Sequence, residues 1–191
     1  SLQVILDTTD PTTTVSSINS ISTDSGTNTG DFITNDASST ISATLSSGLV
    51  SGEALEISVD GGSTYTDVNS GHIVGTAVST TATLNAGTSS IKFRVADAAS
   101  NTGSVTTQSY TLDTTAPTID SIAVAGATNG QYGNSASYTV TVTASEALPV
   151  APTLTIGSGS VGSGSASVGD TVWTYTLTAG ADGAHTIKVA A

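Results

Sequence analysis

The chain has 191 residues, and only three basic side chains face fifteen acidic ones, for a net charge of −12 with no cysteine. So few cations argue against binding a phosphate backbone, which needs clustered Lys and Arg, and against an anionic membrane surface. Without cysteine there is neither a disulfide framework nor a thiolate metal site, and no run approaches the roughly 18 apolar residues of a spanning helix.

Apolar residues at helical spacing are absent over any three turns, whereas two-residue alternation recurs between Gly, Asn, Asp and Ser clusters, the pattern of half-buried strands. Leu2 to Leu6 reads as the last strand of a preceding unit, followed by the phrase LDTTDPTTT from Leu6 to Thr14. Next comes TDSGTNTGDFITND, Thr23 to Asp36, in which Asp24, Asp31 and Asp36 stand with two Asn inside thirteen residues. Strands are predicted at Thr40 to Leu45 and Ala54 to Val59. The stretch Val59-Asp60-Gly61-Gly62-Ser63-Thr64-Tyr65 is a hairpin signal in which Asp60 serves the turn. In Ile91 to Val95 the alternation puts Ile91, Phe93 and Val95 on the core face and Lys92 and Arg94 on the solvent face. The loop Ala96-Asp97-Ala98-Ala99-Ser100-Asn101-Thr102-Gly103 follows, then a strand at Ser109 to Leu112.

At Leu112 the opening phrase returns as LDTTAPTID, with Asp113 standing 106 positions after Asp7. A fixed offset of this kind marks tandem units joined by equivalent connectors. Further strands are predicted at Ser137 to Val142 and Val172 to Leu177, the latter placing Trp173, Tyr175 and Leu177 together with Trp173 as core anchor. Between them, Gly157 to Gly169 reads as a long loop or a Gly-rich hairpin. The division expected is 1–9 as the end of a preceding repeat with its linker, 10–113 as a first domain, and 114–191 as a second that is a shorter variant or lacks its last strand. With Ser1 first and no methionine, the sequence reads as a piece of a longer array. Short strands at this spacing, about 100 residues per unit, predict an all-β fold of tandem immunoglobulin-like antiparallel β-sandwiches.

Catalysis finds little support. His72 and His185 sit one in each unit without a recognisable partner constellation. The acids instead gather at loop ends. Sandwich topology is taken to bring Asp97 and Asn101 towards Asp24, Asp31 and the preceding junction's Asp7. Carboxylates that converge repel unless a cation neutralises them, and Ca²⁺, with six to eight oxygen ligands, is the simplest remedy. The spacing is not that of an EF-hand loop, and any one Asp or Asn alone is explained as a turn residue.

TDSGTNTGDFITND, the VADAASNTG loop and the LDTT-x-P junctions resemble the repeated bacterial immunoglobulin-like domains of giant calcium-dependent adhesins exported by type I secretion, the RTX adhesin group. The resemblance covers Asp10 to Asp113. In the second unit it rests on Asp113-Thr114-Thr115-Ala116-Pro117, on Ala144-Ser145-Glu146-Ala147-Leu148 and on the D-G-x-H-x-[IV] stretch from Asp182 to Ile187. It implies Ca²⁺ ligation by Asp7, Asp24, Asp31, Asp97 and Asp113, with a second-unit site near Glu146 and Asp182. The usual D-A-A-G-N loop has Ser100 in place of its glycine here. The function implied is a non-catalytic, Ca²⁺-stabilised spacer of a bacterial surface or secreted adhesin serving cell adhesion and biofilm formation. Its partners would be neighbouring repeats of the same chain, as a monomer outside the cell, while other domains carry the host-cell or surface ligand. The alternatives are a glycan-, peptide- or ice-binding module and an accessory domain of a secreted hydrolase.

Overall fold

A computed structural model describes residues 4–26, 28–126, 137–157, 159–162, 164, 170–180 and 186–190. The chain divides into two compact units, Ser1–Thr115 and Ala116–Ala191, and each is an antiparallel β-sandwich of immunoglobulin-like type.

Unit 1 contains β1 (Val15–Ile21), β2 (Ile33–Thr34), β3 (Ser38–Leu45), β4 (Ala54–Ser58), β5 (Thr66–Asp67), β6 (Ile73–Val74), β7 (Ala77–Thr83), β8 (Gly87–Ala96) and β9 (Thr106–Leu112). One sheet has the order β1-β3-β7-β6 and the other β2-β9-β8-β4-β5. Every pairing is antiparallel except that of the two-residue β2 with the end of β9. Because side chains alternate across a strand, Ile41, Ala43 and Leu45 of β3 meet Ile91, Phe93 and Val95 of β8 between the sheets, in one core with Leu55 and Ile57 of β4. Tyr110 is buried in that core, and its hydroxyl donates to the Val59 carbonyl at 2.7 Å and accepts from Asn85 N at 2.9 Å. A buried phenol needs such partners.

The β4–β5 hairpin turns as the Asp60-Gly61-Gly62 signal requires. Gly61 and Gly62 have φ of +77° and +96°, which only glycine adopts without strain. Asp60 Oδ1 accepts from Ser63 N and Thr64 N, and Thr64 Oγ1 donates to Oδ2. The Thr64 hydroxyl, then Ser58 and the Thr64 N–H, hold the Asp60 carboxyl far below the usual carboxylate range. Asp60 is a turn residue.

Unit 2 contains β10 (Ile119–Ala125), β11 (Ser137–Ala144), β12 (Thr153–Ile156), β13 (Gly159–Val161), β14 (Val172–Ala179) and β15 (Ile187–Ala190). Its first sheet, β10-β11-β14-β13, repeats the order of β1-β3-β7-β6, and its second is the pair β12-β15. Trp173 is buried with Val140, Val142, Tyr175 and Leu177, and its indole N–H reaches the Asp170 carbonyl at 3.3 Å. Within the glycine-rich stretch, β13 pairs antiparallel with β14 as a hairpin does. There Gly164 lies against the Tyr175 ring, 2.7 Å from where a Cβ would stand, so no side chain fits. Residues 4–14 carry no strand, and Asp182 and His185 fall outside the described residues.

Candidate functional site

The two poles of unit 1 are set by strand direction. β1 starts at Val15, opposite Leu45 at the end of β3, and ends at Ile21. β9 starts beside the start of β1, because the Thr106 hydroxyl donates to the Val15 carbonyl. The loop between β8 and β9 therefore lies at the pole where the chain enters unit 1, with the loop between β3 and β4.

Pairing fixes the details at this entry pole. Ala54 of β4 is the partner of Ala96 of β8, so Glu53, just before one strand, stands beside Asp97, just after the other. The Asp97 loop is knotted by its own side chain. Oδ1 accepts from Ala99 N at 2.9 Å and from Asn101 N at 2.8 Å, and Oδ2 accepts from Asn101 Nδ2 at 2.8 Å. Asp97 N donates in turn to the Asn101 carbonyl. To close this turn Ser100 takes φ of +68°, a left-handed conformation that favours glycine. The Asn101 side-chain amide, followed by the N–H groups of Asn101, Ala99 and Ser100, holds the Asp97 carboxyl below its ordinary value against the opposing effect of desolvation.

The loop also grips the linker. Asn101 Nδ2 lies 3.3 Å from the Asp7 carbonyl, and Gly103 passes so near Pro11 that a Cβ would stand 3.2 Å from its carbonyl oxygen. Thr14 N donates to Ser46 Oγ and Ser46 N to the Thr14 carbonyl. The same clasp joins Thr118 and Ser145 in unit 2, at the end of that unit where Glu146 stands.

These contacts leave a cleft of about 290 Å³ whose walls include Asp7, Asp10, Glu53 and Asp97. Asp7 Oδ1 accepts from Thr9 N, and Glu53 Oε2 accepts from Val50 N. All four donors are carboxylates, the hard oxygens that Ca²⁺ and Mg²⁺ take. The cleft is open rather than a closed cage: among the described residues no three His, Cys, Asp or Glu side chains already stand together as a metal-holding group.

Asp24, Asp31 and Asp36 do not approach Asp97 or Asn101, which corrects the convergence expected from topology. The segment that carries them follows Ile21 and is held at the far end of β9, where Thr111 N donates to the Phe32 carbonyl and Asp113 N to the Thr34 carbonyl. The seven residues of β1 separate the poles by about 20 Å. Consecutive antiparallel strands reverse direction, so the loop after the first strand and the loop after the second-to-last leave opposite ends. Asp113 sits with the Asp24 to Asp36 segment at this exit pole.

There the carboxylates organise backbone. Asp24 Oδ2 accepts from Phe32 N, Asp31 Oδ1 from Ile33 N, and Asp36 Oδ1 from Ser38 N, while the Thr23 hydroxyl donates to Asp36 Oδ2. Asp24 Oδ1 is buried without a hydrogen-bond partner. Phe32 is buried at φ of +62°, a costly backbone held by the Asp24 contact. The repeated junction phrase makes the same turn contact in both copies: Asp113 Oδ1 accepts from Thr115 N at 2.9 Å as Asp7 Oδ1 does from Thr9 N at 3.0 Å.

Glu53 was invisible to sequence reasoning, since it follows Gly52 as an ordinary turn residue with no ligand spacing. Only the Ala54 and Ala96 register reveals it. His72 Nδ1 lies 2.9 Å from the Ser79 carbonyl, a structural role. No protein-family model matches the chain, and no curated protein or solved structure matches it either.

Proposed function

We propose that this chain is a non-catalytic, Ca²⁺-stabilised extender of a bacterial surface or secreted adhesin, in which the cation ties the entry linker to the pole of its sandwich. The observation that carries this reading is that linker acids, Asp7 and Asp10, and loop acids, Glu53 and Asp97, line one cleft. A spacer has to keep its linker from acting as a hinge; ahead of the Thr14–Ser46 clasp, the linker meets the Asp97 loop through the Asn101 amide at the Asp7 carbonyl and close packing at Pro11. A cation drawing Asp7 and Asp10 onto Glu53 and Asp97 supplies the missing restraint, with backbone carbonyls and water completing six to eight oxygens. Asn101 serves by positioning, because it orients Asp97 rather than offering a charge. Asp24 and Asp113 offer a second, weaker oxygen set at the exit pole.

The charge of −12 gives the same ion a folding role outside the cell. An ion at about 100 times its dissociation constant adds about 2.7 kcal/mol, a large part of a domain's usual 5 to 15 kcal/mol, roughly. Thermal melting in millimolar CaCl₂ and in EDTA tests the reading. Unit 1 is expected to melt about 11 °C higher with calcium, and coincident curves defeat the proposal.

A second reading has its own observation. The outer face of β3 and β7 pairs Thr40 with Thr81 and Ser42 with Ser79 without a charge, a row of hydroxyls of the kind that glycan or ice would meet. The Thr40 and Thr81 hydroxyls bond each other at 3.0 Å, which reduces what they offer a ligand. Glycan-array and ice-affinity assays on the whole chain separate this reading from a spacer.

A further inference from the structure

An Asp-Gly pair is a place where a peptide backbone rearranges on its own. The glycine nitrogen attacks the side-chain carbon Cγ of the aspartate, a C–N bond forms, and the carboxyl hydroxyl leaves with the amide proton as water. Water then reopens the five-membered succinimide at either carbonyl, and opening on the backbone side leaves isoaspartate, whose main chain runs through Cβ and Cγ. One water is lost and one regained, so nothing is oxidised or reduced. Glycine permits the attack because it has no Cβ to crowd the nitrogen. The sequence places such a pair at Asp60-Gly61, in the turn of the β4–β5 hairpin, and another at Asp182-Gly183, outside the described residues.

The folded hairpin restrains both reacting groups. Gly61 N, the nucleophile, donates to the Ser90 carbonyl of β8 at 3.2 Å. The electrophile is held as well: Asp60 Oδ1 accepts from the Ser58 hydroxyl at 2.7 Å and from the N–H groups of Ser63 and Thr64 at 2.9 and 3.0 Å, and Oδ2 accepts from the Thr64 hydroxyl at 2.6 Å. Four donors from three residues leave the carboxylate little freedom to turn towards Gly61 N. The same donors, the Thr64 hydroxyl foremost, favour the ionised carboxyl, whereas ring closure expels its oxygen from the neutral acid. Every one of these contacts lies within the hairpin or reaches the strand beside it, so they are lost together when β4–β5 opens. Opening begins easily here, because β5 is an exposed two-residue strand at the edge of its sheet.

We propose that Asp60–Gly61 is a backbone-modification site gated by folding: the closed hairpin keeps the pair silent, and opening of β4–β5 releases it to form succinimide and then isoaspartate. The product changes the fold. An added backbone carbon at Asp60 shifts a turn set by the positive φ of Gly61 and Gly62, on which the Ile57 and Thr66 register and the stacking of Tyr65 on Arg94 depend. A chain marked while open does not re-form the native hairpin, so opening carries a chance of irreversible loss. The gate needs no cation and stands apart from the calcium reading.

The test uses the full chain at neutral pH, incubated folded in CaCl₂ buffer and unfolded in concentrated guanidinium chloride, with circular dichroism to confirm each state. Isoaspartate has the mass of aspartate, so it is read by enzymatic methylation and by electron-transfer fragmentation of the peptide that contains Asp60. Conversion there is expected to run at least about tenfold faster in the unfolded chain, the ratio for a hairpin whose opening costs about 1.4 kcal/mol. Thr64→Ala removes the shortest of the four contacts to Asp60 and is expected to raise the folded-state rate several-fold with the unfolded rate unchanged. Thr64→Ser, which keeps the hydroxyl, is expected to stay as slow as the wild type. Thr64 is exposed, so neither variant disturbs the core. Equal rates in folded and unfolded wild type overturn the proposal. So does a folded Thr64→Ala chain that converts as slowly as the wild type, which leaves the Asp60 contacts without a protective part.

Discussion

Replacing Glu53 with Gln removes one charge from the entry cleft while leaving an amide oxygen able to accept from Val50 N as the carboxylate does. A divalent ion about 4 Å from a carboxylate in a water-like dielectric gains about 2 kcal/mol from that charge. Its loss weakens binding about thirtyfold. At a calcium concentration that is 100 times the wild-type dissociation constant, stabilisation then falls from about 2.7 to about 0.9 kcal/mol. For a unit the size of Ser1–Thr115, each kcal/mol moves the midpoint by about 4 °C, so the calcium-dependent shift shrinks by about 7 °C. Differential scanning calorimetry with CaCl₂ and with EDTA measures both shifts. In EDTA the variant should melt at or slightly above the wild type, because one like charge has gone from the cleft. Asp67→Asn, on the exposed edge strand β5, is the control that leaves the calcium response unchanged. Should Glu53→Gln retain the whole wild-type shift, Glu53 holds no ion and the cleft is only a groove.

Two further expectations concern the Asp97 loop. Ser100→Gly relieves a left-handed residue and is expected to stabilise unit 1 by about 1 kcal/mol in EDTA, read as a midpoint about 4 °C higher. The Asp97 carboxyl is depressed below its ordinary value of 3.8, so what it contributes to stability is complete above that value and is lost as pH falls through the depressed one. In acid melts without calcium, the gap between wild type and Asp97→Asn should therefore stay constant down to about pH 4 and close below it. A gap that instead widened in acid would have the wrong sign for a hydrogen-bonded carboxylate.

Alternation made the sheets legible. Ile91-Lys92-Phe93-Arg94-Val95 has its apolar members in the core. Arg94 lies on the outer face, paired with Glu56 and stacked 3.9 Å over the Tyr65 ring. Trp173 was recognisable as a core residue because a strand pattern put it beside Tyr175 and Leu177. What alternation lacks is direction: it separates two faces but does not say which end of a sandwich a loop leaves. Alternation with the loop order alone therefore puts the Asp24 to Asp36 segment at the wrong pole, whereas its acids accept from the backbone of Phe32, Ile33 and Ser38. Of the cleft, Asp7 and Asp97 were readable from their phrases. Glu53 was not, because its place beside Asp97 depends on a register between strands some forty residues apart. The short parallel strand Ile33–Thr34 also escaped, being two residues long and set by its partner at the end of β9.

Carboxylates from the linker and from two loops are proposed to share one cation at the entry pole. An anomalous-difference map from crystals grown in millimolar CaCl₂ tests it most directly. A peak in the cleft within about 2.3 to 2.6 Å of oxygens from Asp97 and from Asp7 or Asp10 is the predicted result. A cleft without anomalous signal at that calcium concentration contradicts it.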